Sequence, residues 1–114
     1  QDGYFFVDLD GNQKHFKHEL LVDDGHPTVL NERYIVTDAY PDYTCKSKLM
    51  LIDLKKNTVK VIAKFYSYKK YQDDRRCDLH PRFDDLGNTL TLDTVCSGKR
   101  NICHLDISAL IEKQ

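Results

Sequence analysis

The chain has 114 residues, of which 40% are hydrophobic, and its 17 basic and 18 acidic side chains leave a formal net charge of −1. Such a length suits one small globular domain. The near-zero charge provides no broad electrostatic field for nucleic acid or anionic lipid, so neither is expected as a partner. The longest apolar runs, such as residues 49–52, are far too short for a membrane helix, and no signal peptide is visible.

The local patterns predict short strands separated by turns. After a strand near residues 4–9 and the turn at 10–12, four strands follow at residues 27–30, 33–40, 48–54 and 58–65. The third of these, "KLMLIDL", is continuously apolar, which is typical of a strand covered on both faces. Further on, "TLTLDTV" (89–95) alternates strictly, and residues 101–106 form another strand. Only "ISALIEK" (107–113) indicates a helical turn, with Ser108 as its cap.

Two sets of motifs recur along the chain at similar spacings. "FVDLDGN", "LIDLKKN" and "HLDIS" share an aspartate between hydrophobic residues, at Asp8, Asp53 and Asp106. "GHPTVLNERYIVTD" (25–38) and "LHPRFDDLGNTLTLD" (79–93) share His-Pro, a polar turn and a strand that ends in aspartate. The separation from His26 to Asp53 is almost the same as that from His80 to Asp106. This repetition indicates an array of similar units.

The fold class predicted is all-β, built of antiparallel four-stranded propeller blades, with about two and a half blades of a larger propeller of roughly six to eight blades. Residues 1–24 hold the last strands of one blade and residues 25–65 a complete blade. Residues 66–76 form an excursion between blades, and residues 77–114 form a final blade that lacks one strand.

An incomplete propeller leaves open strand edges. The chain begins at Gln1 and its sole methionine is Met50, so we expect it to be a fragment of a longer protein. We expect either missing blades or self-association to cover the open edges. Free thiols are expected for the four cysteines, with a Cys45–Cys96 bridge as the alternative. Free thiols, together with the absence of a visible signal peptide, favour a cytoplasmic location.

The His-Pro segments resemble the His-Pro-x-aromatic-Ser-Pro-Asp-Gly repeats of TolB-like propellers and of the oligogalacturonate lyase family. The resemblance covers most of residues 4–108, although residues 30–32 and 84–87 replace the Ser-Pro-Asp-Gly turn. It implies a β-propeller fold. Known oligogalacturonate lyases are metal-dependent and place histidines of successive blades near the axis. That resemblance implies a divalent metal as cofactor, with His26 and His80 as its ligands.

The segment "RRCDLHP" (75–81) carries the strongest candidate site. In an extended segment, side chains two residues apart point the same way, so Arg76, Asp78 and His80 are expected to converge at the mouth of the channel. Arg76 would anchor a carboxylate, His80 would act as a base or metal ligand, and Asp78 would orient the imidazole. In the alternative interpretation, each histidine before proline fastens two blades by a hydrogen bond to the backbone or to a neighbouring aspartate.

A second group of residues is predicted to bind ligand. "YSYKKYQDDRRCD" (66–78) interleaves aromatic and basic residues that can stack on sugar rings, which adds Tyr71 and Arg75 to His26 as binding candidates. A solvated excursion is the alternative. The function expected is that of a binding protein whose top face recognises a glycan or a protein partner. The second hypothesis is an oligogalacturonate lyase-like, metal-assisted enzyme acting on acidic oligosaccharides.

Overall fold

The computed structural model describes residues 3–21, 25–68, 70, 75–84, 87 and 89–112. It is built of strands and short turns, and residues Ser108–Leu110 form a 3-10 helical turn. None of the described helices has the length and apolar character to cross a membrane. The strands are β1 (Gly3–Val7), β2 (Gln13–Lys17), β3 (Thr28–Val29), β4 (Tyr34–Asp38), β5 (Lys46–Asp53), β6 (Thr58–Tyr66), β7 (Arg82–Phe83), β8 (Thr89–Thr94) and β9 (Asn101–Asp106).

The strands form three antiparallel sheets in chain order. The first sheet pairs β1 with β2, the middle sheet has the order β3-β4-β5-β6, and the third has the order β7-β8-β9. Each strand of the middle sheet pairs with the strand that follows it in the sequence, so this sheet is a meander with the shape of one propeller blade. The prediction of an all-β, antiparallel architecture is confirmed.

The middle sheet is covered on both faces by its neighbours. Every residue of β4 is buried, and so is every residue of β5 from Leu49 to Asp53. The continuous apolar run predicted a strand without a solvent face, and the burial confirms it. The cluster against the third sheet comprises Tyr34, Val36, Leu49, Leu51, Leu79, Leu90, Leu92 and Ile107, and the cluster against the first sheet comprises Phe16, Leu21, Ile35, Met50 and Ile52.

The repeated aspartates hold the turns that end the strands. The carboxylate of Asp8 accepts hydrogen bonds from backbone N–H groups two and four residues later, and that of Asp53 from groups two and three residues later. Asp106 accepts one from the backbone N–H of Ser108. Such side-chain bonds replace part of the strand ladder where the chain reverses. The repeat therefore reflects turn chemistry.

The C-terminal turn differs from the prediction in extent and in its cap. The sequence predicts a helical turn over 107–113 with Ser108 as cap; within residues 107–112 the helix covers Ser108–Leu110, its N-cap is Ile107 with no side-chain cap bond, and residue 113 lies outside the described residues. Ser108 is the first residue of the helix, and its backbone N–H donates to the carboxylate of Asp106 at 2.9 Å. The four cysteines are free thiols, and Cys45 and Cys96 form no bridge.

Candidate functional site

A buried aspartate joins the middle and third sheets at the end of β4. The carboxylate of Asp38 accepts a hydrogen bond from the backbone N–H of His26 at 2.6 Å and another from the backbone N–H of His80 at 3.1 Å. The Nδ1 atom of His26 lies 3.1 Å from each oxygen of the same carboxylate. Asp38 is only 3% exposed. One carboxylate thus holds the two His-Pro segments of successive sheets next to each other.

The chain approaches Asp38 closely at Gly25. A Cβ atom at Gly25 would collide with the backbone oxygen of Asp38, with Thr37 and with Tyr4. There is therefore no room for a side chain at this position, and only glycine fits. The hydroxyl groups of Tyr4 and Thr37 are also hydrogen-bonded to each other at 2.6 Å, which ties the first sheet to the same point of the middle sheet.

His80 has a backbone conformation that is unusual for a residue with a side chain. Its φ angle is 44°, in the left-handed region, and residues 76–81 form no strand. We predicted that Arg76, Asp78 and His80 point the same way because they alternate along an extended segment. Residues 76–81 form no strand, so this argument does not apply here. Ligand atoms of a different trio, His26, Asp78 and His80, all lie within 4.8 Å of one another. Arg76 pairs with Asp78. The two imidazole centroids are 3.9 Å apart.

Asp78 is held mainly by arginine. The Nε atom of Arg76 donates to Asp78 Oδ1 at 2.7 Å, and the Arg76 guanidinium lies 4.1 Å from the centre of the Tyr40 ring. Asp78 was predicted to orient His80, yet the hydrogen bonds that fix both histidines are those to Asp38. The role of Arg76 as anchor of a ligand carboxylate stays a prediction; in the structure Arg76 binds the carboxylate of Asp78.

An open cavity of about 560 Å³ lies beside these residues. Burial raises the pKa of the Cys77 thiol, so this side chain lines the cavity in its uncharged form. Asp93 lies at the cavity and pairs with Arg82 at 3.1 Å. The lining residues are Arg76, Cys77, Asp78, His80, Asp93, Arg100, Asn101 and Ile102.

The remaining candidates occupy different positions. The exposed Arg75 contributes its backbone carbonyl, which accepts a hydrogen bond from the Arg100 guanidinium. Tyr71 lies outside the described residues. Sequence reasoning assigned no role to Asp38 or Arg100. The signal for Asp38 was present in the aspartate that ends the strand in both His-Pro repeats, whereas Arg100 reaches the cavity from a distant turn and no local pattern marks it.

Comparison with known proteins establishes the fold. No family model matches the sequence, and no curated protein matches it. Among solved structures, the chain resembles TolB from Acinetobacter baumannii, a β-propeller protein, with a TM-score of 0.65 and 19% sequence identity. The match covers 92% of this chain and 24% of the TolB chain, so this chain spans about a quarter of that protein's length. The likeness to oligogalacturonate lyases stays a prediction. With its antiparallel sheets, the chain has the fold of a partial, TolB-like β-propeller.

Proposed function

We propose that the chain contributes a protein-binding face to a propeller, and that the cavity beside His80 takes a carboxylate-bearing segment of the partner. The observation that carries the proposal is the charge around this cavity. Among the described residues, Arg76 and Arg100 line it and Arg82 pairs with Asp93 at its wall, so three arginines face the carboxylates of Asp78 and Asp93. A positive region on a chain with a net charge of −1 favours an acidic ligand.

The cavity combines charge with apolar surface, which suits a peptide segment. Ile102 lines it and is 66% exposed, a large value for a side chain of this type. Arginine guanidinium groups bind carboxylates through two parallel hydrogen bonds, and they are enriched at protein interfaces. The walls belong to the segment before β7, to β8 and to β9 with the turn before it, and the core of the third sheet packs beneath them. Such a surface supports recognition of an extended acidic segment that also carries an apolar residue.

Changing Arg100 to alanine is expected to weaken the binding of an acidic peptide at least about tenfold, because a charge-assisted hydrogen bond contributes roughly 1.5–3 kcal/mol. The measurement is fluorescence anisotropy with a short labelled peptide of glutamate and leucine, at low salt and again at high salt. Binding should weaken as salt screens the charges. Arg100→Lys keeps the positive charge but cannot donate two parallel hydrogen bonds to one carboxylate, so an intermediate affinity is expected.

Lys64→Ala is the matched control, because Lys64 is an exposed cation on β6 outside the cavity. It should leave the affinity nearly unchanged. Equal losses for Arg100→Ala and Lys64→Ala would show that binding depends on net charge alone and would contradict the proposal. Failure of the unaltered chain to bind the peptide would contradict it as well.

A second candidate is the metal-assisted enzyme acting on acidic oligosaccharides, as the lyase resemblance implies. It is favoured by the convergence of His26, Asp78 and His80 next to Arg76. In that case Arg76 would hold a sugar carboxylate and His80 would act as base or metal ligand. The test is incubation with oligogalacturonate and divalent metal, followed by ultraviolet absorbance of an unsaturated product. Product formation that is lost in His80→Asn would favour the enzyme over the binding protein.

A further inference from the structure

We propose that the acidic segment of the partner binds as an added β-strand, antiparallel to β9 along the free edge of the third sheet, an inference that rests on the proposed function and adds how the backbone of the segment is held. The middle sheet has four strands, whereas the third sheet has three. Among the described strands, β9 pairs with β8 alone. The place that β6 takes in the middle sheet is therefore open beside β9 in the described part of the chain.

The hydrogen bonds of β8 show which backbone groups of β9 face this open place. The N–H of Asp93 donates to the carbonyl oxygen of Leu79, on the side of β8 away from β9. Because backbone groups alternate along a strand, the residue before Asp93 bonds towards β9, where Cys103 lies opposite it. The residues on either side of Cys103, which are Ile102 and His104, therefore turn their N–H and C=O groups to the free edge.

The described ends of the chain are held away from this edge. After β9, the side chain of Glu112 binds Arg33 at 2.8 Å, and its backbone N–H donates to the hydroxyl oxygen of Tyr34 at 3.0 Å. The C-terminal segment is thereby fixed to the middle sheet as far as residue 112. The strands β1 and β2 pack on the opposite face of that sheet. A strand from another molecule fits the edge of β9 better than any described segment of this chain.

The inner face of the open place is apolar. Cys103 and Leu105 of β9 point to the core between the middle and third sheets. Ile62 and Phe65 of β6 pack against the same cluster and are only partly buried. Since β6 is the fourth strand of its sheet, a fourth strand of the third sheet would lie across from it. Apolar side chains on the inner face of the added strand would cover Ile62 and Phe65.

The outer face of the same place leads to the cavity beside His80. Ile102 belongs to both, because its backbone faces the free edge while its side chain lines the cavity together with Arg76 and Arg100. Residues directly opposite each other on antiparallel strands have their side chains on the same face. An acidic residue opposite Ile102 would place its carboxylate beside the arginines. The segment recognised therefore alternates acidic residues on its outer face with apolar residues on its inner face.

Antiparallel pairing also determines which N–H groups of the segment are used. A residue opposite Ile102 or His104 exchanges two backbone hydrogen bonds with it, because both turn their groups outward. Those residues of the segment are the acidic ones. The N–H groups of the apolar residues point away from β9 to solvent. The amides of the acidic residues are thus required for binding and those of the apolar residues are not.

Two isomeric peptides test this mode on the unaltered chain. Both are fluorescently labelled octapeptides of alternating glutamate and leucine; one is N-methylated at its glutamates and the other at its leucines. Methylation of the glutamates removes several backbone hydrogen bonds at once, so affinity measured by fluorescence anisotropy should fall at least about tenfold. Methylation of the leucines should leave it nearly unchanged.

A matched pair of variants at His104 tests the same edge from the side of the protein. Proline in place of His104 removes an outward N–H without taking a donor from the ladder with β8, and proline is tolerated at such edge positions. His104→Pro should weaken binding of the unmethylated peptide at least about tenfold, because it blocks strand addition. His104→Ala keeps the N–H and should bind as the unaltered chain does. Thermal melting by circular dichroism verifies that both variants are folded.

The outcomes separate the binding mode from the proposed function. Binding that depends on Arg100 but is equal for the two methylated peptides overturns the added strand and leaves the acidic-segment function standing. A larger loss from methylated leucines than from methylated glutamates overturns it too. Dimerisation of the unaltered chain in analytical ultracentrifugation, abolished by His104→Pro, would assign the edge to a second copy and overturn the proposal. No binding of the unmethylated peptide contradicts both.

Discussion

Replacing Asp38 with alanine is expected to lower the free energy of unfolding by about 3 kcal/mol, because two backbone N–H groups and one imidazole lose their acceptor at a buried position. The groups concerned are the N–H of His26, the N–H of His80 and the His26 ring. The loss should loosen the contact between the middle and third sheets. Urea denaturation followed by far-ultraviolet circular dichroism measures the change.

Asp93→Ala is the matched control for this prediction. Asp93 lies at the corresponding strand position of the other His-Pro repeat, but its side chain is 38% exposed and pairs with Arg82, itself 46% exposed. An exposed pair contributes about 1 kcal/mol or less, so the control should be far milder. If the two variants lost similar stability, Asp38 would not be the joint between the sheets.

The second large effect is expected at Asp53, which forms a buried ion pair with Arg33. Arg33 donates to both carboxylate oxygens, at 3.0 and 2.9 Å, and also binds Glu112 at 2.8 Å. Asp53→Asn keeps an oxygen for the turn but leaves the buried guanidinium with Glu112, whose side chain is 62% exposed, as its remaining charge partner. A loss of about 3 kcal/mol follows, or roughly 10 °C or more in Tm. Thermal melting at neutral pH measures it.

The pH dependence of this effect has a definite sign. The hydrogen bonds from Arg33 lower the pKa of Asp53 to about 2, against about 3.9 in an unfolded chain. A lowered pKa in the folded state stabilises the protein fully above about pH 4, and that contribution is lost as the pH falls to about 2. The Tm difference between the unaltered chain and Asp53→Asn should therefore shrink over this interval. A difference that stays constant down to pH 2 would contradict the ion-pair account.

Asp8→Asn serves as the control at the same position of the repeat. Asp8 is exposed, and its hydrogen bonds come from Asn12 and from nearby backbone. It caps a turn as Asp53 does, so the two substitutions differ mainly in the buried arginine. A much smaller fall in Tm is expected for Asp8→Asn than for Asp53→Asn.

Much of the fold follows from local pattern. The continuous apolar run at 48–54 is typical of a strand with a sheet packed on each face. The corresponding strand, β5, is buried from Leu49 to Asp53. The turns are marked by Gly11 and Gly98, which have φ angles of 86° and 89°, and by Asn57 at 53°. The repeated aspartates were visible as a motif, and the structure gives them a physical role as acceptors at strand ends.

The site could be predicted only in part, because its geometry depends on contacts between distant segments. A residue before proline normally favours the extended region, so the left-handed conformation of His80 runs against its local preference. It is stabilised by a hydrogen bond to Asp38, 42 residues away. The interpretation of His-Pro as a fastener that bonds to a neighbouring aspartate comes closest to these contacts. No local rule identifies which aspartate takes that role.

The binding of an acidic partner at the cavity is tested against a second exposed surface of the described residues. One is the cavity beside His80, and the other is the face of β1, where Phe5 and Val7 are 65% and 60% exposed. Proton–nitrogen correlation NMR of the chain, titrated with the peptide of glutamate and leucine, distinguishes them. We predict that amide signals of His80, Asp93 and Asn101 shift while those of β1 stay in place. Shifts confined to β1, or no shifts at all, would contradict a binding site in the cavity beside His80.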